Sequence, residues 1–327
     1  MENKCVPLKG DLVDLLYKSF YNSSDHGWVK LEGCVLPGHY KKFADVIENF
    51  EVRDADVWVC TFPKSGTTWT QEMVWCIKNE LDFEGAKVIL NDRFPFLELS
   101  ALWDFSKIVE RDPSHHFPES SMNSMKYTSQ LSSPRFIKTH LPFHLLPRQI
   151  RTREKTPKIV YVTRETKDVC ISFYHHAVLI EGFVGTFEDF YTLFLDDKIF
   201  YSPYWQHVLG YWDQRHQQNV LLLKFEDMKK DLPSVIKKTA DFFDKKFTSD
   251  EVALLEKHLS FEGMKANSAV NNESVIEESQ KFNAGERKGT FLRSGKVGQW
   301  KTGMTEELAQ KFDEWTESKL KDTDYLL

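Results

Sequence analysis

The sequence predicts an α/β protein with a central parallel sheet flanked by helices and a P-loop-like loop after its first strand. Three observations predict it. Val57 to Phe62 is a short run of apolar, β-branched and aromatic residues, and an apolar pattern at helical spacing follows at Trp69, Met73, Cys76 and Ile77. Further strand-like runs at 135–140, 158–163 and 219–224 are separated by helical stretches, as right-handed crossovers between parallel strands require. Cations and hydroxyls stand just after these runs, beyond the carboxyl ends of the strands, where such sheets bind ligands.

Composition bounds the rest. The 327 residues, 41% hydrophobic and 28% charged, suit one large α/β domain or two small ones, and the chain reads as one domain over 1–327. A net charge of −6 points to neither nucleic acid nor an anionic membrane, so an anion site must be local. The segment from Met1 to Phe20 carries Glu2, Asp11 and Asp14 without an unbroken apolar run, which is not the pattern of a signal peptide. No stretch approaches the roughly 18 apolar residues of a membrane span. The five cysteines include no C-x-x-C pair, and Cys60, Cys76 and Cys170 lie within apolar elements. Free buried thiols and a cytoplasmic location fit this best. The triplets at Asn22 and Asn272 then read as chance glycosylation matches. Most of the 25 Phe residues are expected in the core, and some in an aromatic-lined cavity.

Taken in order, residues 1–55 read as a lead-in, with a turn at Leu36, Pro37 and Gly38 and a helical stripe of Tyr40, Phe43, Val46, Ile47 and Phe50. Pro63 ends the first strand, and the first crossover helix runs to about Leu81. Residues 82–133 are the least regular. They hold Phe94, Phe96, Trp103, Phe105, the pair His115 and His116 and a Ser-rich run, and read either as a substrate lid or as a surface insertion. Arg135 to His140 is a strand, Lys158 to Thr163 another, and a helix spans Thr166 to Leu179. After the strand at 219–224 come a helix with Val235, Ile236, Ala240 and Phe243 on one face, and another over 249–258. A basic, glycine-bearing loop around Arg293, Gly295, Lys296 and Gly298 precedes the last helix.

The chemistry gathers at the strand ends. Lys64, Ser65, Gly66, Thr67 and Thr68 open a helix whose first N–H groups lack internal partners, so a lysine and three hydroxyls surround an anion-seeking terminus. The Walker pattern places its lysine after the glycine, whereas Lys64 precedes Gly66. The alternative is an ordinary Ser/Thr-rich N-cap beside a surface lysine. Lys138 and His140, two apart on an extended chain, share a side, and Arg164 and Ser172 follow the next strand. Together these residues read as a dianion site with a base in it. His140 and His144 have the spacing of two helical zinc ligands, but Pro142 between them forbids a regular helix. His140 therefore reads as a structural histidine or as a general base kept neutral by Lys138. His175 and His176 read as surface or pocket-wall residues. The 293–298 loop reads as a second anion clamp or as an ordinary turn, and Arg287, Lys288 and Gly289 form a similar triplet.

Four blocks, in order, resemble the cytosolic sulfotransferase family: TFPKSGTTW at 61–69, KTHLP at 138–142, YVTRETKDV at 161–169 with Ser172, and RSGKVGQWK at 293–301. The resemblance implies a donor, 3′-phosphoadenosine 5′-phosphosulfate (PAPS), with adenosine 3′,5′-bisphosphate (PAP) as product and no metal required. It implies that Lys64, Ser65, Gly66, Thr67, Thr68 and Trp69 hold the 5′-phosphosulfate end, with Trp69 on adenine and Phe261 opposite. Arg164, Ser172, Arg293 and Gly295 would hold the 3′-phosphate, with Phe291, Leu292, Ser294 and Phe225 also among the nucleotide contacts. His140 would remove the acceptor proton, with Lys64, Lys138 and Ser172 as its catalytic companions. In-line transfer leaves negative charge on the bridging oxygen, where fixed cations act most strongly. A sulfuryl group carries less charge than a phosphoryl group, which fits the lack of an obligatory metal. Three residues depart from the family pattern: Ser294 for lysine, Phe225 for tyrosine, and Leu259 for threonine. The family's C-terminal dimer motif is degraded to Lys301, Thr305, Glu306 and Gln310, which leaves dimerisation open. The acceptor-pocket positions correspond to Phe43, Phe94, Phe96, Leu99, Phe173 and Tyr174, with Tyr40 nearby. They favour a phenol, sterol, retinoid or similar apolar alcohol. The long 99–133 segment is similar to that of insect relatives, including a retinol dehydratase in which a sulfated intermediate eliminates. The remaining alternatives are an ATP-using P-loop phosphotransferase and a non-catalytic binder.

Overall fold

Where the sequence reading expects only a lead-in, the computed structural model has a small antiparallel sheet. Residues 5–20, 27–114, 116–282 and 289–325 are described; Asn22, His115, Arg287 and Lys288 lie outside them. Strands β1 (Cys5–Pro7), β2 (Trp28–Leu31) and β3 (Cys34–Pro37) lie in that order. Leu31 pairs with Cys34 across Glu32 and Gly33, whose φ values of 49° and 93° make the two-residue turn that matches strand twist. Leu36 and Pro37 thus belong to a strand rather than a turn, and Gly38 opens a 3-10 helix to Lys42. The expected helical stripe shortens to Ala44–Glu48, and Val46 faces solvent.

The main sheet is parallel throughout: β4 (Val57–Thr61), β5 (Phe136–Thr139), β6 (Lys158–Thr163) and β7 (Val220–Lys224), in the order β5-β4-β6-β7. Strand side chains alternate between its faces, and two apolar clusters result. Trp58, Cys60, Ile137, Ile159 and Tyr161 belong to one cluster, which includes residues of the antiparallel sheet and of the helices Thr166–His176, Tyr204–Trp212 and Glu306–Leu320. Val57, Val59, Phe136, Val160 and Val162 belong to the other, with the helices Thr67–Lys78, Leu232–Phe242 and Ser249–His258. Burial on both faces explains why the strands read as continuous apolar runs. All five cysteines are free and buried. Among the described residues no helix is long and apolar enough to cross a membrane.

The irregular 82–133 stretch is a chain of short helices, among them Leu99–Leu102, Glu119–Met122 and Ser124–Gln130. Its serines tie these pieces together: Ser124 Oγ donates to Leu97 O at 2.7 Å and meets Ser100 Oγ at 3.0 Å. Lys138 N donates to Pro95 O and Leu97 N to Lys138 O, both at 2.9 Å, so Phe96 runs alongside β5.

At the opposite end of the sheet, Arg135 grips Asp56 through Nε at 2.8 Å and Nη2 at 2.6 Å, and both side chains are fully buried. Val57 N donates to Arg135 O at 2.8 Å beside them. This pair sits where the β4–β5 register begins. Removing one partner leaves an uncompensated buried charge. Asp56→Ala is expected to lower unfolding stability by about 3–5 kcal/mol, measured by urea denaturation; a loss below ~1 kcal/mol would show that the clamp does not hold the register.

Candidate active site

The loop after β4 is shaped by two residues in the left-handed backbone region, Lys64 at φ 68° and Gly66 at φ 110°. A Cβ on Gly66 would stand 2.8 Å from the Phe225 ring, so that ring forms a shelf beneath the loop that only glycine clears. Thr67 then begins the helix Thr67–Lys78, and Thr67 Oγ1 meets Thr61 Oγ1 at 2.6 Å. Ser65 is buried, and among the described residues its Oγ has no hydrogen-bond partner. The same is true of the buried Arg164 Nε.

Arg164, just past β6, binds two loops together. Its Nη1 donates to Lys64 O at 3.2 Å and its Nη2 to Lys296 O at 3.3 Å, while its guanidinium lies 4.3 Å from the Phe225 ring centre. Asp168 stands 3.7 Å from Arg164 and accepts from Gly298 N at 2.7 Å and Trp300 N at 3.1 Å. The basic 293–301 segment is therefore docked on the helix Thr166–His176. Within it Arg293 is exposed and donates to Gln299 Oε1, and Ser294 Oγ accepts from Lys296 N at 3.4 Å. A Cβ on Gly295 would stand 2.7 Å from the Phe261 ring, which places Phe261 directly against that loop. Trp69 donates through Nε1 to Leu259 O at 2.9 Å and stands edge-on to Phe225 at 5.6 Å.

His140, at the end of β5, turns back to β4. Its Nδ1 lies 2.8 Å from Thr61 O, and a carbonyl only accepts, so Nδ1 carries the proton and Nε2 bears the lone pair. Thr61 Oγ1 lies 3.1 Å from the same nitrogen. His140 N donates to Glu98 Oε1 at 2.7 Å. His207 Nε2 donates to His140 O at 2.9 Å, which leaves His207 Nδ1 to accept from Tyr161 OH at 3.0 Å. Phe96 lies 5.2 Å from the His140 ring and 4.1 Å from Lys138 Nζ, so all three share one wall. Burial first, and the charge of Lys138 second, hold the imidazole well below its usual range. Burial brings Lys64 down to about 7, with the Lys138 charge adding to it, and brings Lys138 down to about 8 against the pull of Glu98.

Lys64, Lys138, His140 and Arg164 thus converge at the carboxyl ends of β4, β5 and β6. Phe225, Phe291, Phe261 and Gly295 frame them, with Phe291 4.0 Å from Lys64 Nζ. Thr68 is half-buried in the first turn of its helix, and Ser172 is half-buried on the helix Thr166–His176. Phe173 is fully buried against Phe62 and Phe190. Leu292 packs on the apolar cluster of the other sheet face.

Some expected pocket positions fall elsewhere. Phe94 belongs to that other cluster, on the sheet face away from Phe96 and Phe173, where it packs against Phe136, so it is core and not pocket wall. Its backbone closes the short helix Leu90–Arg93, whereas Phe96 belongs to the β5 bridge. Tyr174 is packed among Phe183, Phe187 and Phe190. Phe43 stands beside His39 at 5.2 Å, and Leu99 packs on the main core. His144 is turned to the Glu32 backbone in the β2–β3 hairpin, which removes it from any shared metal site with His140. Three contributors had escaped the sequence reading: Glu98, Tyr201, whose hydroxyl donates to Glu98 at 3.1 Å, and His207. Glu98 lies just beyond the Phe96 run, but neither it nor His207 carries a local signal for this role.

Cations, hydroxyls and a lone-pair imidazole at the carboxyl ends of a parallel sheet define an α/β enzyme that handles an anionic nucleotide donor. The Sulfotransferase domain profile matches residues 54–324. Luciferin sulfotransferase of Photinus pyralis is 44% identical over 325 residues, covering 99% of this chain and 88% of that protein. Human sulfotransferase 1E1 is 33% identical, covering 90% and 93%. The crystal structure of retinol dehydratase with androsterone and the inactive cofactor PAP superposes with a TM-score of 0.84 at 32% identity, over 98% of this chain and 97% of that one. The chain belongs to the sulfotransferase family. It is a sulfotransferase, and the family's sulfuryl donor is PAPS. The buried, unpartnered Ser65 Oγ and Arg164 Nε and the two glycines that clear aromatic shelves fit such a polyanion.

The lysine shifts fix a pH dependence. A polyanion held here would bind the charged lysines, and in the free protein each lysine loses its proton as pH rises through its lowered value, near 7 for Lys64 and near 8 for Lys138. Binding must then restore protons. PAP affinity is expected to fall at least ~10-fold from pH 7 to pH 9 in a calorimetric titration, a proton-linkage effect of up to ~10-fold per lysine and pH unit; a flat profile would contradict the burial of these cations.

Proposed function

We propose that this chain moves the sulfuryl group of PAPS to the hydroxyl of a small apolar acceptor, with His140 as the general base. The observation that carries this is the tautomer of His140. With Nδ1–H spent on Thr61 O, the basic Nε2 is left free at neutral pH beside two lysines. Lys64, Ser65, Gly66, Thr67 and Thr68 would hold the 5′ end of the donor. Trp69 and Phe261, with Phe225 below, would frame adenine. Arg164, Ser172 and the segment from Phe291 to Gly295 would hold the 3′-phosphate, and docking of that segment through Asp168 supports this. When bound, the donor supplies the activated sulfuryl group. Lys64 and Lys138 would then oppose the charge that develops beside it, in a site where cations are already in place. Phe225 keeps the aromatic shelf and the contact to Arg164 without the tyrosine hydroxyl, and Leu259 still serves Trp69 through its carbonyl.

The acceptor wall would be drawn from Phe96 and Phe173, with Leu99 and Phe43 further out. The name of the firefly relative adds luciferin to phenols, sterols and retinoids as acceptors to test. The chain would act as one domain, since a shared core runs from Cys5 to Phe312. Its free buried thiols support a cytoplasmic setting. A second reading is a dehydratase in which the sulfate is transient, favoured by the likeness to retinol dehydratase.

His140→Asn is expected to cut turnover at least ~100-fold while PAP binding is kept, the scale of a lost general base; near-normal turnover would remove His140 from the chemistry. Lys64→Ala is expected to lose at least ~100-fold, the scale of one electrostatic donor. Product mass separates the two readings: a stable gain of one sulfate supports transfer, and loss of water without that gain supports elimination.

A further inference from the structure

Beyond the donor lysine lies a buried carboxyl that the proposed chemistry does not use. The helix Thr166–His176 continues into a π-helical turn, Ala177–Glu181, closed by Gly182 at φ 81°. An α-helix would stack residue 180 over 176, whereas the wider π turn stacks 181 there. Glu181 Oε1 accordingly lies 3.3 Å from His176 Nε2. Glu181 is 7% exposed, and among the described residues its Oε2 has no hydrogen-bond partner; nor has His176 Nδ1. Leaving such an oxygen buried and unpaired is costly, so a site that keeps one is shaped for a donor that arrives with a ligand.

The pair faces the reaction centre. The His176 ring lies 5.8 Å from Phe291, which also lies 4.0 Å from Lys64 Nζ. Burial raises the Glu181 carboxyl to about 8 against the pull of the Lys64 charge, and burial first, then the charges of Lys64 and Lys138, hold His176 well below its usual range. Burial and these cations keep His176 neutral, so it does not serve Glu181 as a counter-charge. The other carboxyls nearby are differently employed: Glu98 holds His140 N and Tyr201, and Asp168 holds the 293–301 segment.

We propose that Glu181, positioned by His176 through the π-helical turn, is a specificity-determining residue of the acceptor site. It selects acceptors that carry, apart from the reacting hydroxyl, a second hydrogen-bond donor, an amine or a hydroxyl, at the far end of a short apolar body. This rests on the acceptor-transfer reading above.

The test compares tyramine, 4-(2-hydroxyethyl)phenol and 4-propylphenol, by calorimetric binding to the PAP-loaded enzyme and by turnover with PAPS. In Glu181→Leu the preference for tyramine over 4-propylphenol is expected to fall about 10- to 100-fold, the scale on which a buried polar group discriminates. Glu181→Gln, nearly isosteric and able to fold where the leucine variant does not, is expected to lose preference for the amine while keeping that for the hydroxyl compound. Ratios unchanged within twofold in both variants, or no binding of any of the three to the wild-type complex, would overturn the proposal. A shifted binding ratio with no sulfated product would keep Glu181 as a selector and instead defeat the transfer reading.

Discussion

One hydrogen bond sets the geometry of the candidate site: His140 Nδ1–H to the carbonyl of Thr61 at 2.8 Å. It joins the carboxyl ends of two adjacent strands, and so it exists only while β4 and β5 hold the register that pairs Cys60 with Thr139. At the far end of the same strands, the buried Asp56–Arg135 pair fixes where that register starts. A slip of one residue would turn Lys138 and His140 to the other face and dismantle the site. The imidazole's backbone is held as firmly as its ring, by Glu98 on the N–H and His207 on the carbonyl. On the proposed reading, a base whose tautomer is fixed in this way would need no rearrangement before it takes a proton.

The second constraint is repulsion. Lys64, Lys138 and Arg164 stand close together with much of their charge out of water, which the free protein tolerates only with compensation. Aromatic faces supply part of it: Phe291 under Lys64, Phe96 under Lys138, Phe225 under Arg164. Buried carboxyls supply another part, Glu98 near Lys138 and Asp168 beside Arg164. An incoming polyanion would relieve the remainder, and donor binding and lysine charging would then be linked. The abundance of phenylalanine has, on this view, a local electrostatic role as well as a packing one.

Much of this was legible in the sequence. The strand, loop and helix from Val57 to Ile77 are local features, and hydrophobic period and glycine placement report them. The residues at the strand ends could be placed together because a parallel sheet brings its carboxyl ends to one rim. The antiparallel hairpin was not legible, because its strands are four residues long and one contains a proline. Phe94 and Phe96 look alike at a spacing of two, yet one closes a helix and the other lines β5, a difference set by contacts with Lys138 more than 40 positions on. Glu98 and His207 act on the backbone of His140 from afar, and no period or motif marks such a partner. The π turn that delivers Glu181 is likewise a tertiary outcome.

The account's central claim is that these cations form one grip for a nucleotide phosphorylated at both ends of its ribose. Competitive calorimetry of PAP against 5′-AMP, which lacks only the 3′-phosphate, tests it most directly. The account predicts that PAP binds at least ~100-fold more tightly, the scale of two charge-assisted hydrogen bonds. Equal affinity for the two nucleotides would contradict it.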